Sequence, residues 1–160
     1  MVLTLTAVGA VALLVLIVFW SRRTREQREI EMERHSITAE ALHESLASEE
    51  KVLLFDVRQP LDLLAHSELI PGARRIAPAE VLENPALIPK EKDSVVYCTC
   101  PSDKTSRTIL RRALGLGFYR IKFLKGGLEA WKAMGYPVEP YEETFHLYIP
   151  SLAAGPGRRR

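Results

Sequence analysis

A chain of 160 residues with a formal net charge of +2 has room for one ordinary domain and an appendage, and too little positive charge to argue for a nucleic-acid binder. Hydrophobic residues at 47% and charged residues at 26% exclude a disordered chain. Only two cysteines are present, Cys98 and Cys100, which argues against a disulfide-stapled secreted scaffold.

The first element is apolar. Val2 to Trp20 carries no charge, and at 1.5 Å per residue such a helix crosses roughly 30 Å of hydrocarbon. Trp20 ends the run where an interfacial aromatic belongs. Nothing basic precedes the apolar core, and it runs into Arg22, Arg23 and Arg25, a pattern unlike a cleaved signal peptide. Residues 1–21 are therefore predicted to be a transmembrane helix. With the arginines after it, the rest of the chain is expected on the cytoplasmic side, where both thiols would stay reduced. Residues 22–35 are dense in Arg, Glu and Gln and read as a solvated helical stalk.

From Ser36 the pattern becomes that of a folded domain, expected over residues 36–140. Ser36 to Glu40 offers a helix cap, and Ala41, Leu42 and Leu46 continue an apolar stripe. Lys51 to Val57 reads as a buried strand. A helical patch follows at Leu61–Ala65, a turn at Pro71-Gly72, a short strand at Ala73–Ala77, and a helix opened by Pro78. Pro85 and Pro89 mark a loop. Ser94 to Cys98 is a second buried strand, Thr105 to Leu116 a helix stopped by Gly117, and Arg120 to Leu124 a strand. Gly126-Gly127 is a turn, and Leu128 to Met134 a helix ended by Gly135. Residues 141–160 are expected to form a C-terminal extension and a frayed tail. Alternating strands and helices predict an α/β domain: a mostly parallel central sheet with helices on both faces. Ligands then sit beyond the carboxyl ends of strands.

The strand ending at Cys98 leads into such a loop: Cys98-Thr99-Cys100-Pro101-Ser102-Asp103-Lys104-Thr105-Ser106-Arg107. Unpaired N–H groups and the helix dipole at the following helix start favour an anion. A cysteine there should have a lowered pKa, attack an electrophilic sulfur and hold a persulfide, whose charge the same amides would stabilise. Lys104 and Arg107 are expected to add positive charge. The cysteines, with one residue between them, are expected to point to opposite sides, and a disulfide between them would close a tight, strained ring. Two inert cysteines in a turn are the alternative reading.

Several stations in order carry a family resemblance: Leu53-Leu54-Phe55-Asp56-Val57-Arg58; Ile70-Pro71-Gly72-Ala73; Val95-Val96-Tyr97-Cys98; Phe123-Leu124-Lys125-Gly126-Gly127-Leu128-Glu129-Ala130-Trp131; and Gly135-Tyr136-Pro137-Val138. The segment from about Ser36 to Glu139 resembles a single rhodanese domain with a C-x-C-P active loop, in a subgroup that includes rhodanese domains joined to membrane proteins. The resemblance implies a sulfurtransferase that accepts sulfane sulfur from a small donor as a cysteine persulfide and passes it to a thiol or protein acceptor. It places the persulfide on Cys100, which keeps the family's spacing to Gly117 and Gly126-Gly127, with Cys98 as the alternative. Otherwise Cys98 serves as a helper or a resolving thiol. Ser102, Asp103, Lys104, Thr105, Ser106 and Arg107 form the expected substrate-binding loop. No cofactor is implied.

Pro101, Asp103 and Thr105 depart from the family's common loop, which motivates a second hypothesis: a catalytically weak or inactive membrane-tethered docking module with an unidentified protein partner. A dithiol redox sensor is a third. A cysteine phosphatase is disfavoured, because Arg107 lies one residue too far from Cys100 for the C-x5-R spacing. Asp56 and Arg58 read as structural and Trp131 as core. His35, His43, His66 and His146 show no metal-ligand spacing, so no metal is expected.

Overall fold

The computed structural model describes residues 2–48 and 51–141, with side chains described from Leu13 onward and not at Pro101. The described chain divides into two units, residues 1–35 and the remainder from Ser36.

The first unit is one unbroken helix, α1 (Val2–Arg34). Among the described residues no helix is long and apolar enough to cross a membrane. Residues 2–12 of the segment expected to do so lie outside those whose side chains are described. The described part of that segment, Leu13 to Trp20, is 49–70% exposed at every position.

In the second unit, α2 (Ala39–Ala47) begins where the Thr38 hydroxyl accepts the Ala41 N–H, the side-chain cap that satisfies one of the helix's orphan donors. Ser36–Ile37 is not part of that cap. It is a strand, β1, running parallel to β6 (Ile121–Leu124). β2 (Leu53–Asp56) and β5 (Ser94–Tyr97) form from the two apolar runs, and β4 (Arg74–Arg75) is a short edge. The five strands order as β1-β6-β5-β2-β4, all parallel. β5 is the middle strand and is buried at all four positions, which is why Val95, Val96 and Tyr97 run as an apolar stretch rather than alternating with polar residues.

The helices α3 (Pro60–Ala65) and α4 (Pro78–Glu83) each open on proline, where a missing N–H costs nothing. α5 (Lys104–Leu114) follows β5, and α6 (Gly127–Ala133) follows β6. α5 ends two residues before the expected Leu116. Gly117, at φ 78°, turns the chain after helical Gly115. On one face of the sheet Ala39 and Leu42 of α2 and Leu128 and Trp131 of α6 pack with Leu54, Val95, Tyr97 and Leu124. Those strand positions share one parity, as pleating requires. α4 and α5 pack together, and α5 lies against β6.

A second, two-stranded antiparallel sheet joins β3 (Glu68–Leu69) to β7 (Glu139–Pro140). Neither strand was expected. Most of the predicted extension and the tail, residues 142–160, lie outside the described residues.

Candidate functional site

Parallel pairing aligns the carboxyl ends of the strands: Asp56 lies opposite Tyr97 on one side and Arg75 on the other. Beyond this edge the chain must leave the sheet, and two buried groups set how it leaves. Arg58 is fully buried and fully occupied. Its Nε and one terminal nitrogen donate to Asp56 Oδ2 at 2.8 and 2.5 Å, and its terminal nitrogens donate to the carbonyls of His66 (2.6 Å) and Glu68 (2.7 Å). Asp56 Oδ1 accepts the Arg58 N–H at 2.9 Å. The pair thus holds the loop between α3 and β3, the structural role read for it from the sequence. Tyr97, also buried, accepts the Ile70 N–H on its hydroxyl at 3.2 Å. Burial drives the pKa of that hydroxyl far above its ordinary value.

After Tyr97 the chain passes Cys98, Thr99 and Cys100 and enters a single tight turn (Pro101–Asp103) before α5. Ser102 and Asp103 both take left-handed backbone, φ 57° and 54°, a conformation that costs side-chain-bearing residues energy and is kept only where the surroundings enforce it. Two contacts enforce it. The Asp103 N–H donates to the Cys100 carbonyl at 3.1 Å, and Asp103 Oδ2 accepts the Gly126 N–H at 2.9 Å. Burial raises the Asp103 pKa, opposed by the Gly126 N–H and by Arg107. Asp103, expected in the substrate-binding loop, therefore ties that loop to the Gly126-Gly127 turn.

That turn holds the loop from the other side. Leu128 N–H donates to the Cys98 carbonyl at 3.1 Å. A Cβ on Gly127 would lie 1.8 Å from that same carbonyl oxygen. Only a glycine lets the start of α6 approach so closely. The sequence reading took this pair simply as a turn; its place in the resembling Gly-Gly-x-x-x-Trp stretch was the signal that it does more.

The two sulfurs are not held apart. Residues separated by one position on extended backbone share a side, so the expectation that they point to opposite sides fails: Cys98 Sγ and Cys100 Sγ lie 2.8 Å apart, both as free thiols. They differ in environment. Cys98 is 1% exposed, whereas Cys100 is half-buried. Burial pushes the Cys98 thiol up to about 11, the shared proton with Cys100 adds to this, and the hydroxyl and N–H of Ser106 oppose it. Cys100 moves the other way. Its burial works against ionisation, but the Cys98 thiol, the Thr105 hydroxyl and the Thr105 N–H together hold it below the ordinary thiol value. The Thr105 N–H, in the first turn of α5, donates to Cys100 Sγ at 3.1 Å, and the Thr105 hydroxyl lies 3.3 Å from it.

Of the remaining loop residues, Ser106 is fully buried beside Cys98, and Ser102 and Lys104 are exposed. Arg107 stacks over the Phe123 ring, 5.6 Å from its centroid, and acts electrostatically on Asp103. The structure thus brings Cys98, Cys100, Thr105 and Ser106 together, while the Arg107 guanidinium lies over the Phe123 ring. Trp131 is core, with its indole N–H donating to the Pro137 carbonyl at 2.8 Å.

The arrangement can generate one thiolate at a helix start beside one protonated thiol. Comparison with known proteins agrees with the fold. The Rhodanese-like domain family model matches residues 38–134. A protein of Allochromatium vinosum named sulfurtransferase is 32% identical over 104 residues, covering 65% of this chain and 94% of that protein. An uncharacterised protein of Synechocystis is 31% identical over 94 residues, 59% of this chain and 50% of that protein. The crystal structure of a rhodanese-related protein from Thermoplasma volcanium superposes with a TM-score of 0.54 at 26% identity, covering 66% of this chain and 97% of that one.

Proposed function

Since the chain belongs to the rhodanese-like domain family, we propose that it is a membrane-anchored sulfurtransferase carrying sulfane sulfur as a persulfide on Cys100. The observation that carries this reading is the Thr105 N–H donating to Cys100 Sγ at 3.1 Å beside the Cys98 thiol. A half-buried sulfur with two donors on it is the thiolate of the pair; the buried Cys98 is the thiol. The relative from Allochromatium vinosum bears the name sulfurtransferase, which supports the reaction class.

With thiosulfate as donor, the Cys100 thiolate attacks the outer sulfur. The sulfur–sulfur bond of thiosulfate breaks, and sulfite leaves with the bonding pair. The Cys100 persulfide carries its negative charge on the outer sulfur, while the Thr105 N–H stays on Cys100 Sγ. A thiol acceptor then attacks the outer sulfur as its thiolate, and the Cys100 thiolate leaves. Lys104, exposed in the first turn of α5, favours the approach of an anionic donor.

The anchor reading rests on residues 2–20, an uncharged run followed by Arg22, Arg23 and Arg25, with the domain on the cytoplasmic side. The exposed stretch from Leu13 to Trp20 is more than two helical turns of apolar residues on every side, a surface suited to lipid. Retention in the membrane pellet after alkaline carbonate extraction tests the anchor; release refutes it.

The test of the activity is sulfite released when the full-length chain meets thiosulfate without an acceptor. A burst of about one sulfite per chain is expected, and none from Cys100→Ser. A burst that survives Cys100→Ser but not Cys98→Ser would reassign the nucleophile. No burst from the unmodified chain would refute the sulfurtransferase reading and leave the docking module.

A further inference from the structure

The buried cysteine has no route to an external substrate. Cys98 is 1% exposed, its carbonyl is fixed by the Leu128 N–H, and Gly127 closes over it. Its sulfur nevertheless lies 2.8 Å from the sulfur proposed to carry the cargo. Cys100 is meanwhile anchored by Thr105. A persulfide on Cys100 has two electrophilic sulfurs. The outer one can be taken by external thiols at the partly exposed Cys100. The inner one, Cys100 Sγ itself, lies within contact of the buried Cys98 sulfur. Thiol–disulfide exchange at that inner sulfur requires the outer sulfur to leave in line, away from Cys98.

Resting on the persulfide reading of Cys100, we propose that Cys98 is a resolving thiol, so that the domain reduces sulfane sulfur to sulfide and closes an intramolecular Cys98–Cys100 disulfide. In this step the Cys98 sulfur supplies the electron pair for the new bond to Cys100 Sγ. The bond from Cys100 Sγ to the outer sulfur breaks, and its pair leaves on the outer sulfur. The outer sulfur takes the Cys98 proton and departs as hydrosulfide, which equilibrates with hydrogen sulfide in water. The two cysteines are oxidised, and the sulfane sulfur is reduced. An external dithiol reductant resets the pair. A ring closed across a single intervening residue is strained, and strained disulfides have more oxidising potentials and are readily reduced, so the reset is favourable. With thiosulfate, the whole cycle turns one donor and one dithiol into sulfite, sulfide and a cyclic disulfide.

The reaction class is then reductive: the partner that must supply this enzyme is a dithiol reductant rather than a sulfur acceptor. Burial keeps Cys98 protonated, so it does not compete with Cys100 for the donor, and its proton passes to the leaving sulfur as the new bond forms.

Full-length reduced chain, freed of reductant and kept dilute, is mixed with a small excess of thiosulfate; sulfite, sulfide and intact mass are followed together. The expected result is about one sulfite and one sulfide per chain, a final mass about 2 Da below the reduced chain, and neither cysteine alkylated by iodoacetamide after unfolding. Cys98→Ala should still release sulfite, more slowly, release no sulfide, and stop at an adduct of about +32 Da. If the unmodified chain stops at that adduct with Cys98 still alkylatable, or if Cys98→Ala releases as much sulfide, the resolving role is overturned while the persulfide reading stands. If no sulfite appears at all, both fall. Sulfide release from the unmodified chain decides the matter even if Cys98→Ala does not fold.

Discussion

Replacing Gly127 by alanine perturbs the site at its tightest contact. The added Cβ would stand 1.8 Å from the Cys98 carbonyl oxygen and 2.9 Å from its carbon, and Gly127 sits at φ +52°. Neither neighbour is the end of a flexible side chain, so relief requires the start of α6 to move away from the cysteine loop by more than 1 Å, on the order of the overlap itself. Left-handed backbone costs an alanine about 1–2 kcal/mol. Overpacking against backbone costs about 1–3 kcal/mol. The movement also strips the Cys98 carbonyl of the Leu128 N–H, a buried group whose isolation costs about 1–3 kcal/mol. Together they predict a loss of about 5 kcal/mol, large for one substitution and equivalent to roughly 20–40 °C in Tm for a domain of this size. Gly72→Ala is the matched control: φ is +78° there, and nothing lies within 4 Å of a built Cβ. It should cost only the backbone part, about 1–2 kcal/mol. Thermal unfolding of both variants by circular dichroism, with iodoacetamide labelling of Cys100 in parallel, measures the difference. If Gly127→Ala unfolds within about 1 kcal/mol of Gly72→Ala and leaves Cys100 labelling unchanged, the account of Gly127 as the clamp on the loop is wrong.

Thr105→Val removes the hydroxyl beside Cys100 Sγ but keeps the N–H; labelling of Cys100 by iodoacetamide at neutral pH should slow about fivefold, the equivalent of about 1 kcal/mol, and its pH profile should move upward, while an unchanged profile would remove Thr105 from the electrostatics of the site. Arg58→Met leaves the Asp56 carboxylate buried without its partner and should cost about 3–5 kcal/mol by urea unfolding, with the double variant Asp56→Asn/Arg58→Met recovering part of it; no recovery would contradict the pairing argument. Cys98 has a folded-state pKa raised from 9.0 to about 11, so the fold favours its protonated form. Its contribution to stability is complete below pH 9.0 and is lost as pH rises through about 11. The urea midpoint of the unmodified chain should therefore fall more steeply across that window than that of Cys98→Ala, and parallel slopes would refute the shift.

The elements that the sequence determined alone are those whose signal is local. β2 and β5 were legible because a strand inside a parallel sheet is covered on both faces and reads as an apolar run, as Val95-Val96-Tyr97 does, and β6 because Ile121, Phe123 and Leu124 are buried around the exposed Lys122. Pro78 at the start of α4, the glycines after α5 and α6, and the strand-to-helix position of the cysteine loop were legible for the same reason: each expresses a backbone preference of its own residue. Tertiary structure alone decided the rest. β1, β3 and β7 are two residues long, too short for any periodicity, and exist only because a partner strand lies beside them. The closeness of the two sulfurs, the turn of Asp103 toward Gly126 and the collision reserved at Gly127 likewise depend on where α6 is set against the loop. That placement comes from the buried faces of α2, α6 and the sheet, whose packing energy is summed over residues far apart in the chain and leaves no mark on any one stretch of it.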